Sequence, residues 1–377
     1  MKYKIKEVKN KEDYESFMLL PFELYRGNKY WVAPIKKDYI KYIQGEHNDL
    51  GQCPHKLYLA YKEDSVVGRI MVYIDEEINR IHNIKCGYIS EYEAIEDQEV
   101  ANLLLDKAKE YFLSHNMEVI RGPVSLPSGE DHRGFIIDNF QIVPKIMNTY
   151  NFPYYNDQWI TYGFEKYHDC YAFSATANDL RKKIDHLEKI LPRVLDRYHF
   201  HVDTVDLKNR QAEDLEDIYQ ILKEGLPPEW EDFKPVTREE VQGIFAQVKP
   251  FVDEELVCIA RTNEGRPIGF NLALPDYNEI LREFNGKLGP FQILKFLFKK
   301  RKIKGIRMFV MFVVPEYQKK GVSAAIYYTC FKNGVNKGYN ELEGSTIWDY
   351  NEPMLADIRK FGAKENITYR LYKKELV

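Results

Sequence analysis

The chain matches itself at a distance. Residues 57–68 (LYLAYKEDSVVG) read like residues 256–269 (LVCIARTNEGRPIG): an apolar run, a charged turn, then a second run opened by glycine, the pattern of a β-hairpin. Residues 151–173, from Asn151 and Pro153 through Gly163 to Phe173, likewise match residues 351–372, from Asn351 and Pro353 through Gly362 to Tyr372. Both matches fall at an offset of about 200 residues, and two separated matches at one offset imply two copies of one supersecondary arrangement. A chain of 377 residues is long for one core and comfortable for two. The expected division is a first copy over 1–175, a connecting helix over 176–200 and a second copy over 201–377.

Each copy has the same coarse order: strand, helical segment, hairpin, longer strand, helix, strand, helix, strand. In the second copy these fall at 202–207, 215–222, the hairpin around Gly265, 307–314, 322–337, 341–348, 353–361 and 368–372. The strands are rich in β-branched and aromatic residues, and glycine or proline bounds the helices. The class is mixed α/β.

The segment 306–328 carries the most chemistry. An apolar run suited to a central strand is stopped by Pro315, and helical character begins at Val322, so Gln318, Lys319, Lys320 and Gly321 form a loop opening a helix at the end of a strand. Such a loop presents unpaired N–H groups and the positive end of a helix dipole to one point, which holds a pyrophosphate without a metal. Gly321 admits close approach or a positive φ, Ser323 and Ala324 are small, and the two lysines add charge.

At these residues the chain resembles the GNAT acyltransferase superfamily, whose coenzyme A loop has Gln or Arg, two variable residues, Gly, one variable residue, then Gly or Ala. Gln318 and Gly321 match, and Ser323 stands at the last position. Asn351, the helix after it and the turn at Gly362 match a second feature of the family. The resemblance implies two GNAT-like domains, each a mixed, mostly antiparallel central sheet flanked by helices, and an N-acyltransferase using acetyl-CoA or another acyl-CoA without a metal. It implies that Val313 and Val314 give main-chain contacts to the acyl and pantetheine arm in a gap between splayed strands. Gln318, Lys319, Lys320, Gly321, Val322, Ser323 and Ala324 would hold the pyrophosphate, with Asn351 touching the coenzyme from the far side.

The reaction needs a base for the attacking ammonium and an acid for the leaving thiolate. Where many members have a tyrosine, four residues before the last glycine, this chain has Ile358; Glu343, Asp349 and Tyr350 are the candidates that remain. The first copy lacks the loop: residues 89–98 are acidic and without glycine, so that copy is read as degenerate for coenzyme binding. A Gly/Pro-rich insertion with following aromatics spans 121–155; it either helps form an acceptor pocket between the two copies or is a surface loop packed under its own rings.

The net charge of −4 gives no global attraction to nucleic acid or anionic membrane. Five scattered cysteines suggest neither a disulfide framework nor a zinc site, and His199 and His201 lack a third ligand at metal-site spacing. There is no signal-like N-terminus and no run of about eighteen apolar residues, so a cytoplasmic protein is expected. Residues 291–304 join bulky apolar side chains to a basic end; such a segment lies on an anionic membrane, covers a long acyl chain, or packs between domains with its basic end in water. The expected partner is a small-molecule or peptide amine. The alternatives carried forward are a long-chain acyltransferase and a non-catalytic acyl-CoA-binding scaffold.

Overall fold

The computed structural model describes residues 2–46, 48–127 and 133–376. Residues 128–132 of the Gly/Pro-rich insertion lie outside the described residues. The chain forms two compact units: unit 1 is Met1–Tyr171, Asn278–Phe298 and Ile367–Val377, and unit 2 is Ala172–Tyr277 and Lys299–Asn366. Both are discontinuous, whereas the sequence reading has contiguous pieces.

In chain order the first copy contributes β1 (Lys4–Glu7), α1 (Lys11–Leu24), α2 (Lys36–Ile43), β2 (His55–Lys62), β3 (Ser65–Tyr73), α3 (Glu76–His82), β4 (Cys86–Ala94), α4 (Gln98–Ser114), β5 (Val119–Gly122), β6 (Phe135–Ile136), α5 (Tyr154–Tyr162) and β7 (Glu165–Thr176). The second contributes α6 (Ala177–Tyr198), β8 (Phe200–Thr204), α7 (Gln211–Gly225), α8 (Arg238–Val248), β9 (Cys258–Thr262), β10 (Pro267–Pro275), α9 (Asn278–Leu281), α10 (Pro290–Lys299), β11 (Gly305–Val313), α11 (Val322–Asn336), β12 (Glu341–Trp348), α12 (Glu352–Phe361) and β13 (Lys364–Glu375).

Unit 1 has the strand order β1-β2-β3-β4-β5-β13, and unit 2 has β12-β11-β10-β9-β8. Within these two orders every pairing is antiparallel except β4 with β5 and β11 with β12. The fold is thus mixed α/β, mostly antiparallel, with helices against the sheets. The final strand pairs with β5, Tyr372 opposite Gly122, and so completes the sheet of unit 1.

The repeated hairpin glycines have one physical cause. A Cβ on Gly68 would stand 2.8 Å from Leu104 Cδ1 and 2.9 Å from Val100 Cγ1 of α4; one on Gly269 would stand 3.0 Å from Val322 Cγ1 of α11. In each unit the helix after the central strand packs straight onto the hairpin. The apolar faces of α4 (Val100, Ala101, Leu104, Leu105, Ala108) and α11 (Val322, Ala325, Ile326, Cys330) are correspondingly buried. α6 starts in a capping box between Thr176 and Asp179, buries Leu180, Leu187 and Leu191 in the core of unit 2, and ends at His199 in the left-handed conformation.

The first copy differs from its sequence reading at one instructive place. Residues 89–94 are not loop but the second half of β4, and the connection to α4 is only 95–97. The acidic residues Glu91 and Glu93 are held in the strand by Arg69, which lies opposite Glu93 on β3.

Candidate functional site

β11 and β12 run parallel for a short distance and then part. Their ladder spans Gly305↔Glu341 to Met308↔Gly344, while β11 continues to Val313 and β12 to Trp348. On its other edge β11 carries a bulge: Leu272 faces Val310 and Ala273 faces Met308, so Phe309 is the extra residue. A bulge bends the strand that carries it, and here it falls where β11 leaves β12. A gap between two central strands is the result.

The loop sits at the open end of β11. A single 3₁₀ turn, Pro315–Tyr317, follows the strand, and Gln318 is extended, its side-chain amide donating to Val313 O at 3.2 Å. Arg266 Nη1 holds Glu316 at 2.6 Å and Arg266 Nη2 holds Glu224 at 3.0 Å, anchoring the turn to the hairpin and α7. Lys319 (φ +61°) and Gly321 (φ +85°) are left-handed. A Cβ at Gly321 would also lie 2.7 Å from Val194 Cγ1 on α6. Gly321 therefore serves both conformation and space.

Gly321 is the N-cap of α11, and no side chain caps this helix. The N–H groups of its first turn thus have no capping acceptor, and the dipole's positive end faces the loop. The corresponding helix of the first copy is closed: Asp97 caps α4 by accepting from Glu99 N at 2.9 Å, and its carboxylate also takes the Tyr3 hydroxyl at 2.6 Å. The start of α11 is thus without a side-chain cap, while the start of α4 carries a carboxylate of its own.

Gln318, Lys319, Lys320, Gly321, Val322, Ser323 and Ala324 are contiguous around this helix start, with Lys319 exposed and Lys320 over the Tyr317 ring at 4.7 Å. Ser323 Oγ donates to Asp357 of α12 at 2.7 Å, bringing a carboxylate close to the helix start. Val314 is buried and its N–H donates to Ile268 O at 3.0 Å, while Val313 O receives the Gln318 amide. Asn351 caps α12, accepting from Met354 N at 3.3 Å.

The candidate proton carriers separate along the gap. Glu343 lies at its closed end, fully buried, accepting from Ser345 Oγ at 2.7 Å. Asp349 and Tyr350 follow the end of β12, where Tyr350 stacks on Trp348 (centroids 5.2 Å) and meets the edge of Trp230 (5.4 Å). Phe233 and Phe312 extend this cluster of rings within unit 2. Two features escape sequence reasoning: Arg307, buried inside an apolar run, and Trp230 with Phe233, on a connection that carries no motif. Their signal would have been a lone arginine in a central strand, which burial makes costly without a partner. Among the described residues no group of three His, Cys, Asp or Glu is placed to hold a metal, and His201 pairs instead with Asp203 at 3.1 Å.

No family profile matches the chain. Two curated relatives align along nearly their whole length: Protein YghO of Escherichia coli K12, 26% identical over 376 residues (97% of this chain, 94% of the relative), and bacterial ceramide synthase of Caulobacter vibrioides, 23% identical over 385 residues (98% and 96%). Among solved structures, a tandem GNAT protein from the clavulanic acid biosynthesis pathway superposes with TM-score 0.57 at 9% identity, covering 100% of this chain and 99% of that one. A GCN5-related N-acetyltransferase from Sphaerobacter thermophilus gives 0.53 at 11%, over 100% and 96%. The glucosamine N-acetyltransferase region of a fungal β-N-acetylglucosaminidase gives 0.59 at 12%, over 99% of this chain and 38% of that one. The chain has the tandem GNAT fold.

Proposed function

We propose that this protein is an acyltransferase that moves an acyl group from acyl-CoA to an amine, with the coenzyme held by unit 2. The observation that carries the reading is the uncapped start of α11 at the mouth of the gap between β11 and β12, beside Lys319 and Lys320. The residues fit the group: the first-turn N–H groups of Val322, Ser323 and Ala324 would meet the pyrophosphate, and the gap would take the pantetheine arm along Val313 and Val314. Acyl-CoA supplies a thioester; the amine nitrogen bonds to its carbonyl carbon, the C–S bond breaks, the nitrogen loses a proton and the thiolate gains one. Of the candidates, Asp349 and Tyr350 at the open end of the gap are proposed as proton carriers, and Glu343 as a structural partner of Arg307. Likeness to GNAT folds and the name of the Caulobacter relative support transfer of an acyl group.

A second reading within this class, transfer of long acyl chains, is favoured by α10, where Phe291 and Phe298 are 73% and 78% exposed, and by a relative named for a lipid product. Titration calorimetry with CoA is the test of the site. One CoA per chain is expected, since Asp97 closes the start of α4; two would overturn the assignment to unit 2 alone, and none would remove the coenzyme reading.

A further inference from the structure

We propose that unit 1 holds a ligand site of its own: a pocket for the ammonium group of an amine, built by Glu91 and Glu93 at the bulge of β4 under a wall of aromatic rings. The site stands on unit 1 alone, whatever the chemistry of unit 2.

The pocket begins with the register of β4. Arg69 faces Glu93 and Met71 faces Ser90, so Glu91 and Tyr92 together oppose Ile70. Glu91 adopts φ +51°, a conformation uncommon outside glycine and asparagine. Glu91 and Glu93 both line a cavity of about 220 Å³ whose described lining includes the rings of Trp31, Tyr39, Tyr92, Phe135, Tyr150 and Tyr155. The segment after β5 supplies part of this wall through Pro123, Val124, Gly134, Pro144, Met147 and Tyr150. Tyr150 and Tyr155, of the aromatic run that follows the insertion, are among the described lining residues.

Charge and hydrogen bonding then select the ligand. Among the described lining residues the ionisable acids and bases besides tyrosine are Arg69, Glu91 and Glu93, one cation against two carboxylates, all buried. Arg69 is engaged at both terminal nitrogens: Nη1 donates to Phe17 O and Nη2 to Glu91 Oε2, each at 2.8 Å, and Glu93 Oε1 stands 3.9 Å from Nη2, while Nε has no hydrogen-bond partner among the described residues. Tyr39 also donates to Glu91 Oε2, and Tyr25 and Tyr155 donate to Glu93 Oε2 at 2.9 and 2.5 Å. Glu91 Oε1 is left with no hydrogen-bond partner among the described residues, although Glu91 is only 8% exposed. A buried carboxylate oxygen without a donor calls for one. A primary ammonium brings three donors, the missing positive charge and a cation for the aromatic faces. A carboxylate ligand would find one unpaired donor, Arg69 Nε, with two carboxylates against it.

Binding of n-butylamine, n-butanol and butyrate to the full-length protein at about pH 8, followed by saturation-transfer NMR and calorimetry, tests this without any variant. Butylammonium is expected to bind at least about tenfold tighter than the alcohol, because charge-assisted bonds and cation–π contact are lost with the charge. Butyrate is expected not to bind. An alcohol that binds as well as the amine, or a butyrate that binds better, overturns the proposal. Glu93→Gln and Glu91→Gln, each checked for native circular dichroism, locate the site: either folded variant should bind butylamine at least about fivefold more weakly. Folded variants with wild-type amine affinity would place the ligand elsewhere and overturn it as well.

Discussion

Arg307 and Glu343 lie opposite each other in the parallel ladder of β11 and β12, one position before it ends, and Ser345 bridges them. Its hydroxyl donates to Glu343 Oε1 at 2.7 Å and accepts from Arg307 Nε at 2.9 Å, while Arg307 Nη2 also reaches Ser345 O at 3.1 Å. All three are nearly inaccessible to water. Two charges so placed fix the point at which the strands part. Arg307→Met alone removes the cation opposite a buried carboxylate and is expected to cost about 3–5 kcal/mol, whereas Arg307→Met with Glu343→Leu removes both charges and should recover much of that loss. Denaturant unfolding of the two variants measures the difference. A double variant no more stable than the single one would show that the pair is not mutually compensating.

Around α11 the expected effects are electrostatic. Lys319→Glu with Lys320→Glu should weaken CoA binding by about tenfold or more, and more so at low salt, because like charge would then face the pyrophosphate. Asp357→Asn acts oppositely: its carboxylate is held beside the helix start by Ser323, and removing a like charge there is worth about 0.3–1 kcal/mol, a two- to fivefold tightening. Calorimetry at two ionic strengths reads both. Gly321 is a poorer probe, since φ +85° and Val194 make any side chain there strain the fold itself.

Glu93 predicts a pH dependence of unit 1. Burial pushes its carboxyl up to about 7 from an ordinary 4.5, with Glu91 acting in the same direction and Arg69, Tyr155 and Tyr25 opposing. The other groups facing it, Tyr39, Tyr92 and Tyr154, are tyrosines raised above their usual range, mainly by burial, and do not titrate there. A raised carboxyl takes up a proton on folding, so its contribution is complete below about pH 4.5 and is lost as pH rises through about 7, by at most about 3 kcal/mol. Unfolding free energy measured from pH 5 to 8 should fall for the wild type relative to Glu93→Gln. Parallel curves would mean that Glu93 is ionised throughout.

The sequence discloses what glycine, proline and apolar runs punctuate. β12 is legible to the residue, and the start of α11 follows from Pro315 and Gly321. Glu91 and Glu93 were illegible because acidic residues are depleted in strands, and what keeps them there comes from Arg69, Tyr25, Tyr39 and Tyr155, none adjacent in sequence. Arg307 was hidden in the same way, its partner lying on the next strand. The unit to which the last strand belongs was equally hidden, since Tyr372 finds Gly122 by register and not by local pattern. Periodicity reports the face a residue presents; it does not report which distant charge will meet it.

α10 carries the apolar run that the sequence joins to a basic end. The sequence allows a packing helix or a surface that meets lipid, and these differ in which side chains are covered. In the structure the helix buries none of its residues: Phe291, Ile293, Leu294, Leu297 and Phe298 are all exposed, and Lys299, Lys300, Arg301 and Lys302 follow at once. Exposed rings next to a basic run suit an anionic bilayer, where each lysine or arginine near the surface adds about 1 kcal/mol and each fully buried large apolar side chain about 1.5–3 kcal/mol. Flotation with liposomes containing anionic lipid should therefore retain the protein, less so at high salt, and Phe291→Ser with Phe298→Ser should reduce retention by about tenfold or more. Because these rings are exposed, the same change should alter stability by no more than about 0.5 kcal/mol. A variant that floats like the wild type but melts several degrees earlier would mark the two rings as packing residues and return α10 to the structural reading.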